Sequence, residues 1–439
     1  MNEGRETGSA VYGMTSRARC LAALAVPLTG GLPANVLGRF VLGSQGAASG
    51  DDNELRLVEV REQATPGGSS LAVRELALLP HPPGEVWALA ACPQVPDLVF
   101  TAARDAAGAA RTSLFRIPAA VLGHGAGAPE GAPAGPVVAA LEHVGSGAST
   151  AATEVPATVR TAAWDPQAAP QQPRLAVGDA AGCVRIVGVR EDGRTESDVL
   201  ACGAPVVKAA DGGVQEVRWA CAGRALVAVA GGAGVAAYDA RCAPGEGAAW
   251  TLARGVVCGR VHSADWNPLA VHRVATTGED GFVRLWDVRA PRPRELLALR
   301  VHSHWGTTVR YSPHHDELLL TGGTDGTVAL TYAPTAAAAA DPAVRALAEA
   351  TQDSPATAAV SPVGAAAAAA AAAATATAAT HVGEDTVVRT YREHEDSVYA
   401  VEWCPVAAGA LWAFASLSYA GRLLVSAVPR KYCDLARYC

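Results

Sequence analysis

Short runs in which apolar and polar residues alternate recur along the chain, each ending near an aromatic residue and often a proline. VRTAAWDP (159–166), VHSADWNP (261–268) and VYAVEWCP (398–405) are the clearest copies, and VWALAACP (86–93), VQEVRWAC (214–221) and GTTVRYSP (306–313) are weaker ones. Alternation with period two marks a strand with one buried face, so each run predicts a strand and not a helix. A second short strand follows, as in RVATTG (273–278) or LLLTGG (318–323). Then comes a tight turn, Glu279-Asp280-Gly281 or Thr324-Asp325-Gly326, and a third strand, FVRLWDV (282–288) or TVALTY (327–332). Asp-Gly between two such runs is a hairpin signal, because glycine adopts the positive φ that the turn demands. The repeating unit is therefore a small antiparallel sheet.

Trp164, Trp219, Trp266 and Trp403 share one register of the repeat, and Tyr311 holds it in a fifth copy. The copies end at residues 93, 166, 221, 268, 313 and 405, in steps of 73, 55, 47, 45 and 92. The middle steps match the roughly 40–45 residues of a four-stranded propeller blade. The long steps hold two irregular insertions: 119–158, rich in Gly, Ala and Pro, and 335–385, which contains VGAAAAAAAAAATATAAT. Such loops lengthen without disturbing a scaffold. A diverged seventh unit can be assembled from VYGMTSRARC (11–20), GRFVLGSQ (38–45) and NELRLVEV (53–60). The expectation is an all-β, seven-bladed propeller forming a single domain over 11–430, between a disordered stretch at 1–10 and a C-terminal tail at 431–439. The ring must close, because an open sheet edge invites aggregation. Which terminal strand closes it is left open.

Composition narrows the function classes. Half of the 439 residues are hydrophobic but only 5% are aromatic, so the core must rest on Val, Leu and a few Trp. The net charge of −7 and the lack of a sustained Lys/Arg run argue against nucleic acid or an anionic membrane surface as the main partner. Ten cysteines are scattered with no C-x-x-C pair, which suggests reduced cytosolic thiols and neither a zinc site nor a secreted disulfide framework. CLAALAVPL (20–28) starts too late, is too short and contains Pro27, a poor signal peptide. Apart from the alanine tract at 365–374, no run nears the roughly 20 apolar residues of a membrane helix, and alanine is too weakly apolar to anchor. A soluble protein without direct membrane insertion is expected. A phosphate loop with its lysine, H-E-x-x-H and EF-hand spacing are all absent from the sequence, so no cofactor and no metal is expected.

The polar residues resemble the hydrogen-bonded sets of WD-repeat blades: a His before the first strand, Ser or Thr in the second, Asp in the turn and Trp in the third. That likeness makes the expected fold a seven-bladed WD-repeat β-propeller. In one blade Thr276, Asp280 and Trp286 match, while Val257 stands at the His position. In the next, His302, Thr321 and Asp325 match and Thr331 replaces the Trp; in the last, His394 and Ser416 match and Ala420 replaces the Asp. These sets resemble a catalytic triad only superficially: they recur, they sit where buried polar groups need partners, and no G-x-S-x-G accompanies them. A non-enzymatic protein is expected.

Six residues before the last residue of each copy stand Trp87, Arg160, Gln215, His262, Thr307 and Tyr399, a predicted ring where each first strand begins. Aromatic and Arg side chains on one rim suit a protein-binding face, and Trp305, Glu395 and Asp396 would join it. The alternative for Trp87 and Tyr399 is packing between blades.

The C-terminal third is similar to one eukaryotic family, the EARP and GARP complex-interacting proteins, also called tumor-suppressing subtransferable candidate proteins. HSHWGTTVRYSPHHDELLLTGGTDGTV (302–328), YREHEDSVYAVEWCP (391–405) and WAFASLSYAGRLLVSAVPR (412–430) carry the resemblance. VYGMTSRAR (11–19), FVLGSQ (40–45) and HPPGEVWALAACP (81–93) add weaker support, whereas 119–260 is diverged. The resemblance implies an adaptor for the endosome-associated recycling and Golgi-associated retrograde tethering complexes. Its partners would be their vacuolar protein sorting subunits, and its place the cytoplasmic side of the trans-Golgi network and recycling endosomes, in retrograde and recycling traffic. A different class stays open: WDVR (286–289) fits the box by which some propellers dock on the adaptor of a cullin-RING ubiquitin ligase, with Asp287 and Arg289 as contacts and YDAR (238–241) as a weaker copy.

Overall fold

The computed structural model describes residues 9–26, 32–45, 53–65, 68–104, 110–123, 137–138, 142–146, 159–190, 195–198, 213–220, 225–230, 234–240, 248–253, 259–290, 292–334, 385–405 and 411–435. Among these, the strands form seven sheets arranged as a closed ring. The ring is closed by the N-terminal strand: β1 (Ala10–Gly13) pairs antiparallel with β29 (Arg422–Ala427), which is followed inward by β28 (Ala413–Ser418) and β27 (Val398–Trp403). VYGMTSRARC is thus not one strand. It supplies β1 to the last blade and then starts the next sheet, so both chain ends are zipped into one sheet and no edge is left at the seam.

The first sheet holds β2 (Ala18–Ala23), β3 (Val36–Ser44), β4 (Asn53–Thr65) and β5 (Gly68–His81), with β9 (Val137–Val138) parallel to β5. The second runs β6 (Glu85–Ala91), β7 (Leu98–Arg104), β8 (Ala110–Arg116) and β10 (Glu142–Ser146). The third is β11 (Val159–Trp164), β12 (Arg174–Asp179), β13 (Val184–Val189) and β14 (Thr195–Asp198). The fourth is β15 (Val214–Trp219), β16 (Ala225–Ala230), β17 (Gly234–Asp239) and β18 (Trp250–Ala253). The fifth is β19 (Val261–Trp266), β20 (Arg273–Gly278), β21 (Phe282–Asp287) and β22 (Arg294–Arg300), and the sixth β23 (Gly306–Tyr311), β24 (Leu318–Gly323), β25 (Val328–Tyr332) and β26 (Thr386–Tyr391). Six of the sheets are therefore the four-stranded blade that the repeat predicts, rather than seven. The remaining sheet has five strands, and its β4 and β5 run for 13 and 14 residues, about twice the usual length.

Three further expectations are corrected. The insertion at 119–158 is not all irregular: it carries a short helix, α1 (Ala119–Gly123), and then β9 and β10. The outer edge of β8 needs a partner, and β10 supplies it after the detour, which accounts for the 73-residue step. The expected tail at 431–439 begins as a helix, α2 (Arg430–Leu435), that buries Tyr432 and Cys433 beside Tyr332 and Trp412. The boundary expected at residue 11 falls inside β1. Of the 335–385 insertion only Asp385 is among the described residues.

The innermost strands are β2, β6, β11, β15, β19, β23 and β27, each touching the next and β27 touching β2. Their shared tryptophan explains the repeat. The indole Nε1 of Trp164 donates to the Ala90 carbonyl at 2.9 Å, Trp219 to Ala163 at 2.8 Å and Trp403 to Arg310 at 3.3 Å. Each bond reaches from one innermost strand to the preceding one, so the residue that buries apolar area also fixes the angle between blades. Trp266 instead packs edge-on against Trp250 at 5.9 Å.

The Asp-Gly turns form as expected, with φ of 72° at Gly281 and 71° at Gly326. A side chain at Gly281 would collide with the carbonyls of His302 and His304, so the turn is seated against the following sheet. Among the described residues, no helix is long and apolar enough to cross a membrane.

Candidate protein-binding rim

In all seven innermost strands the pairing with the second strand slips by one residue at the same place. The extra residue is Arg19 in β2, Trp87 in β6, Arg160 in β11, Gln215 in β15, His262 in β19, Thr307 in β23 and Tyr399 in β27. A bulge drops one residue from the ladder and re-aims its side chain. The strict period two therefore breaks: in β15 and β27 the buried positions are the first, fourth and sixth. The ring expected six residues before each copy's end is this ring of bulges, and it gains Arg19, hidden while 11–20 was read as one strand. The spacing Ala18-Arg19-Cys20-Leu21, matching Val398-Tyr399-Ala400-Val401, is the signal that would have found it.

The bulge residues do not behave alike. The Arg19 guanidinium lies 4.8 Å from the Trp87 ring centre and 4.7 Å from that of Tyr399. Tyr399 meets Tyr419 edge-on at 5.7 Å, and Arg17 covers Tyr419 at 5.3 Å. Trp87 also donates its Nε1 to Glu85 at 3.2 Å. Trp87 and Tyr399 are thus half-buried across the seam between the last, first and second sheets, partly packed and partly presented. On the far side, Trp305 is 43% exposed and stacks on His304 at 5.1 Å, with His262 tilted against it at 5.7 Å. Arg160 is exposed, and partial desolvation, with Arg19 and Arg104 nearby, lowers its pKa. Thr307 is an inter-blade link, its hydroxyl lying against the carbonyls of Gly322 and Val398. Glu395 is exposed and pairs with Arg422 at 3.0 Å, while Asp396 accepts from the Ser397 amide at 2.7 Å.

The polar sets are divided between blades. His302 Nε2 lies 3.0 Å from Thr321 Oγ1, and its Nδ1 lies 3.2 Å from Asp325 and 3.1 Å from Thr327. Asp325 accepts from the Thr327 and Ser303 amides as well, and although burial opposes its charge, these donors hold its pKa well below the ordinary carboxylate range. In the preceding blade Trp286 donates to Thr276 at 2.9 Å, and Asp280 accepts from the Phe282 amide and pairs with Arg284 at 2.7 Å. His394 lies 2.8 Å from Ser416. In these three sets the second-strand hydroxyl, Thr321, Thr276 or Ser416, thereby meets a His or a Trp. Val257 lies outside the described residues. The sequence reading missed a fourth set, His81 with Thr101 at 2.9 Å; His81 precedes Val86 by five residues where His302 and His394 precede their strands by four.

Burial lowers the pKa of His81 and of His394 to about 4, in the latter case with help from Arg422. The folded values lie below the unfolded value near 6.5, so the unfolded chain binds more protons between them. Stability is fully present above pH about 6.5 and falls as the pH drops towards 4. Urea titrations across this window should show that slope, and His394→Asn should remove the part due to one proton.

Inside the channel, Arg310 of β23 reaches Glu216 of β15 at 2.8 Å and Glu402 of β27 at 3.2 Å, and Arg218 pairs with the same two carboxylates. Burial works against the Glu216 charge, but Arg310 and Arg218 hold its pKa below the usual glutamate range. Asp265 has the opposite outcome: burial raises it to about 6 despite both arginines. At the outer edge, Arg289 folds back on Asp287, with Nε 3.0 Å from both carboxylate oxygens. A ligase adaptor would have to compete with that pair, and residue 241 of the weaker YDAR copy lies outside the described residues.

A model of the EIPR1 beta-propeller family matches residues 206–331. The match reaches back into the stretch 119–260 that was read as diverged. EARP-interacting protein 1 of Caenorhabditis elegans is 40% identical over 173 residues, 39% of this chain and 40% of the relative. EARP and GARP complex-interacting protein 1 of Rattus norvegicus is 34% identical over 174 residues, 39% of this chain and 38% of the relative. A zebrafish (Danio rerio) EARP-interacting protein homolog is 60% identical over 47 residues, 11% of each chain. The chain thus matches about two fifths of the length of the first two relatives. Over these parts the chain is thus similar to the EIPR1 beta-propeller family.

Proposed function

We propose that the chain is a non-catalytic adaptor that binds the EARP and GARP tethering complexes through the rim where its innermost strands begin. The supporting observation is that its relatives, at 34–40% identity over the aligned part, are named for interaction with those complexes. The rim adds a physical means: a closed ring presents aromatic and charged residues from several sheets at once, so one partner can be held at many points without chemistry. In this reading the contacts are vacuolar protein sorting subunits, and the protein works at the cytoplasmic side of the trans-Golgi network and recycling endosomes, in recycling and retrograde transport.

The test is affinity purification from the native cell under mild extraction, followed by mass spectrometry. Recovery of tether subunits is expected, and absence of every one of them would sink the reading. Trp305→Ala removes the most exposed rim aromatic, and truncating an aromatic anchor weakens binding by about tenfold or more. Recovery should drop accordingly while the melting temperature stays unchanged, because Trp305 is outside the core.

A further inference from the structure

The ladder Arg17, Tyr419, Tyr399, Arg19, Trp87 holds one arginine between two aromatic rings. Several half-buried or buried arginines of the molecule are matched by carboxylates, as in Arg56 with Glu54, Arg284 with Asp280 and Arg310 with Glu216. Arg19 is half-buried too, yet among the described residues it is held by two aromatic faces and by no carboxylate. Stacking between rings fixes the guanidinium plane without using its N–H groups, which leaves a rigid fork suited to a planar, bidentate acceptor. Arg160, the next bulge residue but one, adds a second positive group on the same rim. Flanking tyrosine and tryptophan faces offer apolar contact beside the charge.

We propose that the Arg19 stack is a docking site for an acidic peptide segment, taking an aspartate or glutamate side chain on the Arg19 fork with apolar neighbours against Tyr419. A peptide fits better than an anionic bilayer because the seat lies at the mouth of a ring, where a chain can enter and a flat surface cannot. The proposal rests on the reading of this rim as the binding face, but its test needs no tether subunit.

The probe is a fluorescent 12-residue peptide of alternating glutamate and leucine, titrated against the purified full chain by anisotropy. A counterpart with glutamine for glutamate and vesicles containing phosphatidylserine run in parallel. The acidic peptide should bind and the glutamine peptide should not. Arg19→Met should weaken the acidic peptide by about tenfold or more, the scale of a lost charge-assisted hydrogen bond. Arg19→Lys keeps the charge without the fork and should fall between, while Arg300→Met on the outer strand β22 should change nothing. Melting curves confirm that each variant folds; should Arg19→Met fail to fold, Arg19→Lys decides alone, and equal binding by it overturns the proposal. Equal binding by Arg19→Met, no binding of the acidic peptide, or Arg19-dependent binding of vesicles in its place also overturns it. Loss of peptide binding with tether recovery intact would leave the site standing and move the tether contact elsewhere on the rim.

Discussion

Replacing Arg310 by methionine is expected to destabilise the protein by about 3 kcal/mol, at the low end of the range for breaking a buried ion pair. Arg310 is 11% exposed at its side chain and serves two carboxylates on two other blades, Glu216 at 14% and Glu402 at 22%. Methionine fills most of the volume but leaves both carboxylates short of a partner, with Arg218 alone to answer them. Their partial contact with channel water keeps the loss from the upper end. The loss should also depend on pH in a defined sense. Without Arg310, burial raises the folded pKa of Glu216, so the folded state binds more protons than the unfolded one and the variant recovers relative stability as the pH falls. Urea unfolding of Arg310→Met and of the triple variant with Glu216→Gln and Glu402→Gln checks this. The triple variant should regain part of the loss, because no carboxylate is left stranded and Arg218, 26% exposed at its side chain, keeps contact with water. Equal stability of the single and triple variants would show that the charges are solvated by water and not by one another.

The network also shows what sequence reading could reach. Strands, hairpin turns and the shared tryptophan register were legible because they rest on local periodicity and on the φ requirement of Gly281 and Gly326. The closure was not, since β1 pairs with β29 across almost the whole chain and four residues carry too little pattern to announce it. The bulge ring was half legible: six members were found by counting along the repeat, but that counting could not see that an unpaired residue causes the register. The seventh, Arg19, was lost with the misread seam. Arg310, Glu216 and Glu402 gave no sign at all, because their relation is set by facing one another across an axis and by nothing in their spacing. The candidate contacts Asp287 and Arg289 were legible as a motif, whereas their mutual pairing needed the third strand's end in place.

Replacing Trp286 by alanine is expected to cost about 4 kcal/mol, within the range for truncating a buried tryptophan. The side chain is 0% exposed and packs with Trp250, Leu252, Trp266 and Val274, so it joins the fourth sheet to the fifth. Its loss opens a cavity at that junction and also strips Thr276 of the indole donor at 2.9 Å. The two contributions can be separated. Trp286→Phe retains most of the apolar contact, leaves the buried Thr276 hydroxyl without its partner, and should cost about 2 kcal/mol. Adding Thr276→Val to that variant removes the stranded hydroxyl and should return part of the loss, since replacing both partners by apolar groups of similar shape can be nearly neutral. The next blade supports this, because Thr331 occupies the tryptophan's register there and the Thr321 hydroxyl is paired with His302 instead. Thermal and urea unfolding of the three variants give the order Trp286→Ala, then Trp286→Phe, then the double variant, from least to most stable. A Trp286→Phe protein as weakened as Trp286→Ala would instead assign the whole cost to the hydrogen bond and none to the packing.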